Sequence, residues 1–162
     1  MSNVVKAINL PVVKSNEKIE ALRQEVRQFI KEELDNNTFK SQADSWLSGF
    51  SPEFTNKLAE KGWLGITVPK EYGGQGGTNL ERYVIIEELL AAGAPVAAHW
   101  VADRQTAPLL LRYGTEKQKQ EFLPKICRGE IYFSIGLSEP NAGSDLAAIA
   151  LKAEKDGHEY VI

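Results

Sequence analysis

The chain has 162 residues, 43% hydrophobic and 25% charged, with 19 Lys plus Arg against 22 Asp plus Glu for a net charge of −3. These are the proportions of a globular domain able to bury a sizeable core; no basic excess points to nucleic acid and no polybasic block to a membrane surface. The single cysteine, Cys127, excludes an intrachain disulfide, and no stretch approaches the ~20 apolar residues of a membrane span, so a soluble, cytoplasmic protein is expected.

Met1 to Ser15 does not read as a signal peptide, because Lys6, Asn9 and Pro11 break its apolar run. Glu17 to Leu34 reads as an amphipathic helix: Ile19, Leu22, Val26, Phe29, Ile30 and Leu34 recur at spacings of three and four, and Asn36-Asn37 ends it. Ser51 is placed to cap a second helix, with Pro52 at its first position and Gly62 at its stop. Trp63 to Val68 reads as a short extended segment ending at Pro69.

Gly73-Gly74-Gln75-Gly76-Gly77 invites a phosphate-loop reading, but a G-x-G-x-x-G from Gly74 would need glycine at Asn79. The glycines are read instead as turn formers. Thr78-Asn79-Leu80-Glu81 is a capping box opening a helix to about Ala92. Pro95 to Tyr113 is helical in pattern, interrupted by Pro108 and stopped at Gly114. Thr115 to Gln118 is a second capping box, opening a helix that runs to about Cys127 and closes at Gly129. Cys127 reads as a small buried hydrophobe.

After Gly129 the pattern changes. Ile131 to Leu137 reads as a buried strand, and Leu151 to Ala153 and Glu159 to Ile162 as short strands about an Asp156-Gly157 turn. The expected fold class is therefore mainly α, with a helical domain over 1–129 and the start of a β domain over 130–162.

His99 and His158 are the only histidines and lie in no metal-ligand spacing, so no metal site is expected, nor does Cys127 form a local pattern with either. Trp100 and Arg104 are four apart on one helix face, suited to a packed Trp with Arg stacked on it and paired to an acid, or to ligand contact. The sharpest signal is the polar turn after the apolar run, Gly136-Leu137-Ser138-Glu139-Pro140-Asn141-Ala142-Gly143-Ser144-Asp145. Ser138 can hydrogen-bond a flat polar ligand, Gly143 permits close approach, and Ser144 with neighbouring amides can form an anion nest. Glu139 and Asp145 could serve in acid–base chemistry, but pairing with Lys or Arg to brace the turn is the expected role. Spacing alone leaves a ligand site and an ordinary strand-end turn equally open.

At this point the sequence resembles the flavin-dependent acyl-CoA dehydrogenases. Leu137 to Asp145 is similar to their signature of a hydroxyl residue, Glu-Pro and Gly-Ser-Asp. Pro69-Lys70-Glu71-Tyr72-Gly73-Gly74 with Gly76, the pair Glu87-Glu88, and Tyr113 to Glu130 resemble three upstream family segments in the family's order. The resemblance implies the N-terminal helical domain of such an enzyme followed by the first strands of its β-barrel domain. It implies FAD as cofactor, with Ile135, Gly136, Leu137 and Ser138 lining the flavin and Gly143 and Ser144 beside the pyrophosphate and the pantetheine. For substrate, it suggests Ser144, with Trp100 and Arg104 near the acyl group.

The implied reaction is α,β-dehydrogenation of an acyl-CoA to a 2-enoyl-CoA. Electrons would pass to an electron-transfer flavoprotein, within a homo- or hetero-oligomer (a dimer or tetramer). The family's catalytic glutamate lies in a C-terminal helical bundle with no counterpart here, so the resemblance implies no catalytic residue in this chain and a 162-residue piece inactive alone. Related readings are an acyl-CoA oxidase or flavin monooxygenase of the same fold; one from another class is a non-catalytic helical subunit of a mixed assembly.

Overall fold

The computed structural model describes residues 16–162, and the reading of Met1 to Ser15 lies outside them. Two compact units divide between Tyr132 and Phe133.

In the first unit, α1 (Glu17–Asp35) begins where the Asn16 side chain accepts from the Ile19 amide. It ends at Asn37, whose φ of 55° turns the chain out of the helix. After a short α2 (Ser45–Ser48), Ser51 Oγ accepts from Phe54 N and opens α3 (Pro52–Glu60), with Pro52 in its first turn. Both predicted capping boxes form: Thr78 with Glu81 at the start of α4 (Asn79–Ala91), and Thr115 with Gln118 at the start of α7 (Glu116–Cys127). Each satisfies two amide N–H groups that a helix N-terminus would otherwise leave open.

The apolar stripe of α1 (Val26, Phe29, Ile30) packs with Phe54 and Leu58 of α3, Ile85 and Leu89 of α4, and Trp63, Leu64 and Ile66 between α3 and α4. The Phe29 and Trp63 rings meet edge to face at 5.1 Å, and Phe39 meets Phe54 at 5.0 Å. Charge ties α1 to α4 as well. Glu88, nearly buried, accepts from Arg27 Nε at 2.7 Å and from Arg23, while Arg23 also reaches Glu87 at 2.6 Å. The carboxyl of Glu88 is held below its ordinary range, chiefly by Arg27.

Two expectations are corrected here. Trp63 to Val68 is a run of turns, not an extended segment: Gly65 has φ of 58°, and its carbonyl accepts from Val68 N. The helix expected over Pro95 to Tyr113 is three pieces: α5 (Ala97–Val101), a π turn (Ala102–Thr106) and α6 (Ala107–Tyr113). Pro108 has no N–H to offer the Arg104 carbonyl four residues back, and Ala107 N instead donates to Ala102 O, five residues back.

The second unit carries a two-residue hairpin, β1 (Glu154–Asp156) against β2 (Glu159–Val161), in antiparallel register with Asp156 opposite Glu159. Gly157 takes the first loop position at φ 59°, as a type II′ turn requires. The first hairpin strand thus lies three residues later than the Leu151 to Ala153 expected. The buried strand expected over Ile131 to Leu137 does not form among the described residues: the run takes no strand structure, and Ile135 (48%) and Leu137 (54%) stand exposed. An apolar run supplies the side chains of a buried strand but not the partner that completes its ladder.

Candidate functional site

The signature turn lies wholly in the second unit. Glu139 and Ala142 form a one-residue antiparallel bridge, with Glu139 N donating to Ala142 O at 2.9 Å and Ala142 N to Glu139 O at 3.2 Å. Pro140 and Asn141 turn the chain between them. The Glu139 carboxylate accepts from Ala150 N at 2.9 Å through one oxygen and from Leu151 N at 2.8 Å through the other. The expected bracing role holds, but its partners are backbone amides and not Lys or Arg. Asp145 forms no ion pair among the described residues; its carbonyl accepts from Ala148 N as a 3-10 turn begins.

Ser138 and Ser144 flank this brace. Both are exposed, and neither hydroxyl has a hydrogen-bond partner among the described residues. Gly136 and Gly143 share a distinction. Every other glycine has either a left-handed backbone or atoms that a side chain would press against. Gly136 and Gly143 have neither: a methyl group placed there meets nothing within 4 Å. Nothing in the unit's own packing calls for glycine at these two positions.

In the first unit the cluster on α5 and the π turn divides by face. His99 and Asp103 point inward. His99 Nδ1 lies 3.0 Å from Thr55 Oγ1, and burial lowers its pKa to about 4, so it is neutral at physiological pH. Asp103 accepts from Gly65 N at 2.8 Å, and burial raises its pKa. Cys127 packs against Gly65; burial lifts its thiol to about 11, which makes it the inert small hydrophobe expected and not a nucleophile.

Trp100 and Arg104 share the outward face. The Arg104 guanidinium sits 4.5 Å from the Trp100 ring centroid, and Trp46 lies on the ring's other contact at 5.6 Å. The stack is as expected; the acid partner for Arg104 is not found among the described residues. Beneath it is a cavity of about 20 Å³ lined by Ile86, Leu89, Val96, His99, Trp100 and Asp103, room for about one water. Trp46 is the member of this stack that periodicity passed over, since α2 is too short to carry a pattern.

Comparison with known proteins identifies the lineage. Residues 16–130 match the family model for the acyl-CoA dehydrogenase N-terminal domain. The chain belongs to the acyl-CoA dehydrogenase family. It is 43% identical over 106 residues to acyl-CoA dehydrogenase FadE26 of Mycobacterium tuberculosis, covering 65% of this chain and 26% of that protein. Among solved structures it is similar to the Tcur3481-Tcur3483 steroid ACAD (TM-score 0.79, 37% identity, 91% of this chain and 38% of that one). It is also similar to a glutaryl-CoA dehydrogenase of Mycobacterium smegmatis in complex with FADH2 (TM-score 0.69, 26% identity, 88% of this chain and 36% of that one). The chain therefore spans between about a quarter and two fifths of the length of these acyl-CoA dehydrogenases. Among the described residues no helix is long and apolar enough to cross a membrane.

Proposed function

We propose that this chain forms the N-terminal helical domain and the flavin-facing turn of an acyl-CoA dehydrogenase acting on an acyl-CoA thioester. The observation that carries this reading is the pairing of two bare glycines, Gly136 and Gly143, with two unpartnered hydroxyls, Ser138 and Ser144. That combination fits a large polar group approaching the backbone closely and taking hydrogen bonds, which is what FAD and a CoA thioester ask of a protein.

A bound FAD would supply the hydride acceptor for the acyl β-carbon. The chain's own residues bind and orient. Ile135 and Leu137, both exposed, would offer apolar surface to the flavin, and Ser138 Oγ would hydrogen-bond its polar edge. Gly143 would let phosphate oxygens approach, and Ser144 Oγ would donate to pyrophosphate or pantetheine. Glu139 is not the base that removes the α-proton, because both its oxygens are engaged by amides. That base, with the partner electron-transfer flavoprotein and the oligomer, belongs to the complete enzyme.

For the acyl group we assign Trp100 and Arg104. A flat cation–aromatic stack over a cavity too small for an alkyl chain suits a bulky acyl group lying on a surface, and one similar solved structure is of a steroid ACAD. The complete protein should be yellow and should bleach when its acyl-CoA is added. A colourless protein that takes up no FAD on reconstitution overturns the reading. Trp100→Ala should raise KM for a bulky acyl-CoA about tenfold with kcat little changed; an unchanged KM leaves the stack a packing unit.

A further inference from the structure

We propose that Glu139 is the positioning residue of the ligand turn, setting where Ser138, Gly143 and Ser144 stand by binding the backbone amides of Ala150 and Leu151. Three facts meet at this residue. Its backbone pairs with Ala142 in both directions, closing the Pro140-Asn141 turn. Its carboxylate reaches across the rest of the loop to two consecutive amides, one per oxygen, at 2.9 and 2.8 Å. It directly follows Ser138, and the segment it spans contains Gly143, Ser144 and Asp145.

One side chain thus joins the start of the loop to its end. A carboxylate is the group the geometry demands. It presents two acceptors and no donor, so it can take both amides at once. Glutamine has one acceptor oxygen and would turn an NH2 toward the second amide; aspartate is one methylene short. No Lys or Arg takes part among the described residues: the carboxylate's partners are the two amides.

The inference rests on the flavin reading above, and its test separates the two. Glu139→Gln and Glu139→Ala are made in the full chain, within its complete enzyme. Hydrogen exchange at the Ala150 and Leu151 amides is measured without added flavin, and FAD affinity is measured by flavin fluorescence on reconstitution. Both amides should exchange at least tenfold faster in Glu139→Ala, and one of the two in Glu139→Gln. FAD should bind at least tenfold more weakly in both variants, with the thermal midpoint of the helical unit unmoved. Unchanged exchange in both variants overturns the brace. Faster exchange with FAD affinity within twofold of wild type overturns the positioning role. A wild-type enzyme that binds no FAD fails the flavin reading itself, while the exchange data still decide the brace.

Discussion

His99 is neutral because the fold encloses it and gives its Nδ1 only the Thr55 hydroxyl. Its folded pKa of about 4 lies below the ~6.5 of an unfolded histidine, so the unfolded chain binds the extra proton more readily. The contribution to stability is complete above pH ~6.5 and is lost as pH falls toward 4, for a total of about 3 kcal/mol. His99→Gln should flatten that part of a urea-stability profile; an unchanged slope between pH 6.5 and 4 refutes the assignment. Asp103 supports the neighbouring backbone: Asp103→Ala leaves the Gly65 amide buried without an acceptor and should cost about 1–3 kcal/mol in chemical denaturation. Gly136→Ala and Gly143→Ala make the opposite case. No protein atom lies near either position, so the thermal midpoint should stay within a degree or two while FAD affinity falls. If both variants keep full FAD affinity, the two glycines have no ligand to explain them.

The helices α1, α3, α4 and α7 were legible in the sequence because their signals are local. Asn16, Ser51, Thr78 and Thr115 each cap through contacts three residues away, and the α1 stripe needs only one buried side. Thr78→Ala should therefore cost about 1 kcal/mol, read as a lower thermal midpoint. Signals that depend on a distant partner failed. Ile131 to Leu137 has the composition of a strand, but pairing is not encoded in the run itself. The partners of Glu139, eleven and twelve residues away, could not be read from charge, because amides carry no sequence label. The division of His99 and Asp103 from Trp100 and Arg104 follows from helical spacing, but which face turns inward depends on the position of Thr55 and Gly65.

Across the whole molecule, five glutamates share one bias. The carboxyls of Glu81 (down to about 2, chiefly through Lys18), Glu87, Glu88, Glu116 and Glu130 are all held below their ordinary range by hydrogen-bonded or charged partners. Each adds stability that is present above pH ~4.5 and lost as acid protonates it, so these groups and His99 all weaken the fold on acidification. Buried Asp103, with its raised pKa, opposes them. The expected result is a steep fall in denaturation midpoint between pH 6 and 3; a flat profile would mean these pairs do not persist in solution.

The π turn over Ala102–Thr106 holds one residue more than an α-helix would need for the same turn. It is therefore a built-in frame shift. Removing Gln105 should let this turn tighten toward α-helical spacing while α6 keeps its present face, because the bulge already takes up the one extra residue. Leu109 and Tyr113, which stand exposed on α6, would stay exposed, and the α7 capping box, made by Thr115 and Gln118 alone, would form as before. An insertion or deletion mapped elsewhere in a helix of this unit would break it; at these five residues the fold already shows how a one-residue change in length is absorbed.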